Sequence, residues 1–168
     1  MIALRTLTDE DIPGIKSWHP YPPEFSDLDY SLRDGGWLDE YSTKAGTNIF
    51  AVTDQGGTAG FSIISKEDDG TAEFRIALNP DNLGQGIGKI VTLLTLQQGF
   101  SDPDISLIRL IVRKNNPRAR KLYETLRFRH TGECTSVVNG KRVEFFTMVI
   151  DRKTFFMVNK NERSFTRH

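Results

Sequence analysis

Three glycines stand at alternate positions in Leu83-Gly84-Gln85-Gly86-Ile87-Gly88-Lys89, just after an apolar segment and just before KIVTLLTLQQGF. Glycine leaves the main chain open to close approach, and the first N–H groups of a helix lack intrahelical partners and sit at its positive end. The chemistry that suits such a place is anion binding, with a pyrophosphate as the natural guest. A tight turn that merely starts a helix would use the same residues, so the loop alone does not define a function. A Walker loop requires Gly-Lys-Ser/Thr, whereas Lys89 is followed by Ile90. A dinucleotide fingerprint expects its loop after the first strand and an acid about 20 residues on. Here several strands precede the loop, and Asp102 and Asp104 fall between elements, so a nicotinamide-binding oxidoreductase stays open without a matching pattern.

Other reactive side chains are sparse. Cys134 is the single cysteine, which excludes an internal disulfide and a cysteine-rich zinc cluster; on a late strand with no evident His and Asp/Asn setting it reads as a small core residue. His19, His130 and His168 are too scattered for a metal site, and no metal is expected. With 22 basic and 22 acidic residues in 168, net charge names no nucleic-acid partner. The N-terminus lacks an apolar stretch of signal-peptide length and no segment approaches ~20 apolar residues, so a cytoplasmic location without membrane contact is the expectation.

The elements that must carry the loop follow from pattern. Ile2 to Leu7 alternates as a short strand, and Thr8 with Asp11 has capping-box spacing. Prolines and glycines from His19 to Gly46 break any long element, predicting loops and short helices. Asn48 to Thr53, Thr58 to Ser65 and Thr71 to Leu78 read as three consecutive antiparallel strands separated by DQGG and EDDG turns. Ile105 to Val112 is apolar almost throughout, as a mid-sheet strand covered on both faces would be. Asn116 as N-cap and Pro117 at the first position predict a helix over 117–126, and Asn139-Gly140 joins His130–Val138 to Lys141–Ile150 as a hairpin. One domain over 1–158 with a polar, fraying tail over 159–168 is the expected organisation.

Downstream of the loop, with the expected strand between, the chain reads Asn116-Pro-Arg-Ala119-Arg-Lys-Leu122-Tyr123-Glu124-Thr-Leu126-Arg127-Phe128. Together these two motifs resemble the GCN5-related N-acetyltransferases (GNAT), whose patterns are Arg/Gln-x-x-Gly-x-Gly/Ala and Asn-x-x-Ala-x-x-Leu-Tyr-Glu-x-Leu-Gly-Phe. Leu83 stands for the usual Arg/Gln and Arg127 for the usual glycine. The resemblance spans most of residues 2–150. It implies an α/β (α+β) fold with a mixed, mostly antiparallel sheet of about 6–7 strands, helices on both faces, and a split between strands 4 and 5. It also implies acetyl-CoA as co-substrate and an amine as acceptor, with a homodimer possible.

Carried over residue by residue, the resemblance makes Tyr123 the general acid for the departing thiolate and Glu73 a base for the amine. Packing of Tyr123 on the apolar helix face, and a solvent-facing Glu73 opposite Arg75 on the same strand face, are the alternatives. The N–H of Leu78 or a neighbour would polarise the thioester carbonyl. Cofactor contacts are expected at Leu78, Leu83, Gly84, Gln85, Gly86, Ile87, Gly88, Lys89, Asn116 and Tyr123, although helix capping explains Asn116 equally well. Lys89, Arg118, Arg120 and Lys121 could meet phosphates or form a solvated helix face.

Trp18, Tyr21, Phe25, Tyr30 and Trp37 could wall an acceptor pocket or complete a core lid. Glu24, Asp27, Asp29, Asp34, Asp39 and Glu40 could attract a cationic amine or be plain surface. A small amine and a protein N-terminus or lysine both remain possible acceptors, and a non-catalytic acyl-CoA sensor is the alternative to an enzyme.

Overall fold

The computed structural model describes residues 1–158; the expected tail and His168 lie outside the described residues. The strands are β1 (Ala3–Thr6), β2 (Thr47–Asp54), β3 (Gly57–Lys66), β4 (Thr71–Leu78), β5 (Leu107–Arg113), β6 (Arg129–Val138) and β7 (Lys141–Asp151). They form one sheet in the order β1-β2-β3-β4-β5-β7-β6. Every neighbouring pair is antiparallel except β4 and β5. The sheet is held by short turns whose residues suit left-handed backbone: Gln55 (φ 51°) with Gly56 (φ 85°), and Asn139 (φ 50°) with Gly140 (φ 76°).

The helices are α1 (Ile12–Lys16), α2 (Trp37–Ser42), α3 (Ile87–Phe100) and α4 (Pro117–Thr125), and residues 152–158 are also helical. Thr8 and Asp11 form the expected capping box ahead of α1. The proline-rich stretch before α2 is a 3-10 segment, Pro23–Leu32, bent at Phe25. Alternation along the strands divides the core. Phe61, Ile63 and Ala77 face the N-terminal segments with Tyr21, Leu32, Trp37 and Tyr41. Ile64, Ala72, Phe74, Ile108, Leu110 and Val112 face α3 and α4 with Leu96, Phe100 and Tyr123. A buried hydrogen bond between Ser62 Oγ and Thr95 Oγ1, 2.7 Å, ties α3 to the middle of the sheet.

β5 corrects one expectation. It is in mid-sheet, but only its α3/α4 face is fully covered; Arg109 on the other face is exposed and Ile111 half-buried.

Candidate active site

β4 and β5 pair over three rungs only, Thr71 with Leu107, Ala72 with Ile108 and Glu73 with Arg109. Beyond these β4 continues to Leu78 bonded to β3, and β5 continues to Arg113 bonded to β7. The two strands therefore part, and their facing edges keep unpaired main-chain groups. A cavity of about 220 Å³ fills the gap.

The main chain at its mouth is oriented by its neighbours. Asn79 N–H donates to the Ala59 carbonyl of β3 at 2.8 Å. Alternation along an extended chain then turns the N–H and C=O of Leu78 the other way, toward the cleft. There the Tyr21 hydroxyl donates to the Leu78 carbonyl at 2.6 Å, taking the place of a missing strand. The N–H of Leu78, on the same side, is left facing the gap.

The glycine loop follows at once. Asn79 Oδ1 accepts the Asp81 N–H at 3.0 Å and holds a 3-10 turn, Pro80–Asn82, after which α3 starts with Gly86 as N-cap. Gly84 (φ +78°) and Gly86 (φ +73°) both occupy left-handed backbone, and a Cβ added at either would meet nothing within 4 Å. Open space therefore lies beside the free N–H groups at the start of a 14-residue helix, a place where an anion can approach the main chain.

Not every expected cofactor residue turns its side chain to the cleft. Leu78, Leu83, Gly88, Asn116 and Tyr123 line it. Ile87 is buried with Val52, Ala59 and Val91, so only its main chain can serve an anion. Gln85 borders a separate polar cavity with Asp81 and Asn82, and Lys89 is exposed. Asn116 Oδ1 accepts the Ala119 N–H at 3.1 Å, so capping engages its oxygen while the residue still borders the gap. Arg120 is committed elsewhere, pairing with Glu124 and lying 4.1 Å from the Phe146 ring centroid.

Tyr123 is buried in α4, its ring edge-on to Phe74 and Phe128 at 6.4 and 5.6 Å between centroids. Burial raises its phenol far above the usual value, so it stays protonated at every ordinary pH. Among the described residues its hydroxyl has no hydrogen-bond partner, and the residue borders the cavity.

Glu73 sits at the last rung before the strands part and does not line the cavity. Its Oε1 accepts from Arg75 Nε at 2.7 Å and from the Tyr41 hydroxyl at 2.9 Å, and Arg109 lies 4.0 Å from Oε2. Burial opposes its ionisation, but the Arg75 charge and these hydrogen bonds outweigh burial and hold it below the usual carboxylate range. Glu73 and Arg75 do share a strand face, but the carboxylate is largely buried and ion-paired with Arg75 rather than solvent-facing. Tyr41, buried beside it, is pushed up to about 12.

Of the aromatics, Tyr21, Tyr30 and Trp37 line the cleft, whereas Trp18 borders the polar cavity and Phe25 packs into the core. The acids of the N-terminal segment are mostly tied within the protein: Asp29 to Arg33, Asp34 and Asp39 to Lys16, and Asp27 to Arg113. Sequence reasoning passed over Arg113. Its signal was a charge at the end of an almost wholly apolar strand, and the structure buries it to 6% exposure at the border of the cleft.

A mixed sheet that parts between its fourth and fifth strands, beside a glycine-rich helix start, defines the acyl-CoA-dependent transferase class. The chain belongs to the GNAT acetyltransferase family: a model described as an acetyltransferase (GNAT) domain matches residues 2–129. It is an acetyl-CoA-dependent N-acetyltransferase and not a nicotinamide-binding oxidoreductase. Comparison with curated protein sequences gives no significant match.

Solved structures share the fold. A chimera of the spermidine N-acetyltransferase SpeG of Vibrio cholerae with hSSAT superposes with a TM-score of 0.74 at 22% identity, covering 92% of this chain and 98% of that one. The Vibrio cholerae enzyme in complex with CoA and spermine gives 0.70 at 22% identity, with the same coverage. Its dodecameric form gives 0.71 at 22% identity, covering 92% and 95%.

Proposed function

We propose that the chain moves the acetyl group of acetyl-CoA to the primary amine of a small acceptor by direct attack within a ternary complex. The observation that carries the reading is the parting of β4 from β5 beyond Glu73 and Arg109, with the Leu78 N–H, the Tyr123 residue and the glycine loop around one gap. Acetyl-CoA supplies an activated acyl group, and the chain's part is to orient, polarise and exchange protons. The free N–H groups from Gly86 to Lys89 hold the pyrophosphate. The Leu78 N–H polarises the acyl carbonyl, and the Tyr123 phenol, which borders the gap, donates to the departing thiolate.

Glu73 is assigned a different role from the one its strand position suggested. A carboxylate already accepting from Arg75 and Tyr41 and held at low pKa is a poor proton acceptor, so it fixes Arg75, and the amine gives its proton to water. A cleft of about 220 Å³ under Tyr30 and Trp37 favours a small amine over a protein segment. Spermidine, on which the similar structures are named as acting, is the comparison acceptor.

A thermal-shift series with acetyl-CoA, CoA, NAD and ATP tests the reading, since a ligand at 100 times its dissociation constant adds about 2.7 kcal/mol of apparent stability. CoA ligands alone should shift the transition, and thiol release should then depend on an added amine. A shift with NAD but not CoA, or thiol release indifferent to every amine, would overturn it.

A further inference from the structure

Tyr21 stands between Pro20 and Pro22, and the proline that follows it favours extended backbone at the tyrosine. The Tyr21 N–H donates to Asp29 Oδ1 at 3.3 Å, and Asp29 is paired with Arg33, whose guanidinium also donates to the Lys16 and Trp18 carbonyls at 2.9 and 2.8 Å. The side chain is buried in one cluster with Leu32, Trp37 and Phe61. Backbone and ring are thus both held, and the hydroxyl is in place at the cleft before any ligand arrives.

A phenol has one proton to give, and Tyr21 gives it to the Leu78 carbonyl at 2.6 Å. Burial raises the phenol well above its ordinary value, so the proton stays on the oxygen. What Tyr21 offers the cleft is therefore its lone pairs, and a hydroxyl that already donates is the stronger acceptor. An attacking primary amine has the matching need: its own lone pair must reach the acyl carbon, so its N–H groups must be held by acceptors. Among the described residues no Asp or Glu lines the cleft. Arg75 and Arg113 are paired with Glu73 and Asp27 and carry only donors, and the Tyr30 hydroxyl already accepts from Trp37 Nε1 at 3.2 Å. Ser31 and Thr92 also give their protons to carbonyls, those of Leu28 and Gly88, but Tyr21 is the one bonded to Leu78, whose N–H faces the same gap.

We propose that Tyr21 is a further catalytic residue: its hydroxyl oxygen accepts an N–H of the attacking amine and so aims the nitrogen lone pair at the acyl carbon beside Leu78. This rests on acetyl transfer taking place in the cleft, and deepens that reading by naming the group that holds the nucleophile. Tyr21 packs on the sheet face that carries the N-terminal segments and Tyr123 on the face covered by α3 and α4, so amine and acid meet the thioester from opposite sides. As the N–C bond forms and the C–S bond breaks, Tyr21 keeps its own proton. The amine's proton goes to water, and the sulfur takes that of Tyr123, which water restores.

Tyr21→Phe keeps the ring and removes the oxygen, and the loss of one neutral hydrogen bond is too small to unfold a domain. The full chain and this variant are compared by thiol release with spermidine, n-butylamine and phenethylamine at saturating acetyl-CoA. For every amine that the wild type acetylates, kcat/KM should fall tenfold or more in the variant, while acetyl-CoA affinity, read by calorimetric titration, stays within about twofold. Infrared spectra of bound acetyl-CoA labelled at the acetyl carbonyl, taken without amine, should show the same carbonyl stretch in both proteins, because Tyr21 acts on the amine and not on the thioester. Equal kcat/KM in the two proteins would overturn the proposal. So would a carbonyl stretch that moves toward the free value in the variant, or a tenfold loss of acetyl-CoA affinity, since either puts the hydroxyl to work on the cofactor. Failure of the wild type to bind acetyl-CoA or to acetylate any of the three amines would bring down the small-amine reading itself, and that outcome is seen without the variant.

Discussion

The Phe128 N–H donates to the Tyr123 carbonyl at 3.0 Å while the two rings pack edge-on, so the residue that ends α4 also fixes the phenol facing the cleft. The neighbouring Arg127 N–H donates to the Glu124 carbonyl at 3.0 Å, completing a Schellman closure. That closure needs left-handed backbone at residue 127, and Arg127 adopts it with φ 76°. The family's glycine is missing there but its geometry is kept, at a local cost of roughly 1–2 kcal/mol for a residue with a Cβ.

Arg127→Gly should therefore stabilise the chain. Relief of the strain is offset in part by the greater freedom of glycine in the unfolded state, leaving a gain of roughly 0.5–1 kcal/mol. For a chain of this size that corresponds to a rise of roughly 1–4 °C in Tm, readable by calorimetry. A fall in Tm would mean that the Arg127 side chain contributes more than its backbone costs.

Tyr123→Phe keeps the ring contacts with Phe74 and Phe128 and removes only the hydroxyl. We expect kcat to fall about 100-fold, within the usual contribution of a positioned acid, with little change in acetyl-CoA affinity. Steady-state kinetics beside equilibrium binding make the separation. Equal turnover by both proteins across the pH range would remove the phenol from the mechanism.

Gly86→Ala places a Cβ in otherwise empty space but on backbone at φ +73°. The cost to folding should be about 1 kcal/mol, whereas acetyl-CoA affinity should drop tenfold or more, because on the proposed reading the added carbon stands where the pyrophosphate approaches. Wild-type affinity in the folded variant would place the anion elsewhere.

Local chemistry was legible wherever short-range signals decide the outcome. Thr8 with Asp11, Asn116 with Pro117, and Asn139-Gly140 each specify a cap or turn within a few residues, and each element formed as its signal indicated. The glycine loop was equally legible, because a helix start and its free N–H groups follow from adjacent residues. What the sequence hid depends on strands far apart in the chain. The apolar run ISLIRLIV suggested cover on both faces, but on the face away from α3 and α4 Arg109 is exposed and Ile111 half-buried. Arg113 is buried against Asp27, 86 positions away, and Glu73 sits at the last paired rung of β4 and β5, outside the cavity.

The Glu73 pairing makes a pH-dependent contribution whose sign is set by its depressed pKa. Both states are ionised above the ordinary value of 4.5, where the stabilisation is fully present; it is lost as the pH falls through the lower folded value. Glu73→Gln cannot make this contribution at any pH and leaves the Arg75 charge largely buried beside Tyr41 and Arg109. At pH 7 the variant should be less stable by about 3 kcal/mol, or roughly 6–12 °C in Tm, as when one partner of a buried pair is removed. Because only the wild type loses the contribution on acidification, the gap should narrow below pH 4.5. Melting curves of both proteins from neutral pH down to pH 3 read this directly. A gap that stays constant would mean that the Glu73 charge contributes nothing to folding, and that its hydrogen bonds to Tyr41 and Arg75 act as those of a neutral acceptor would.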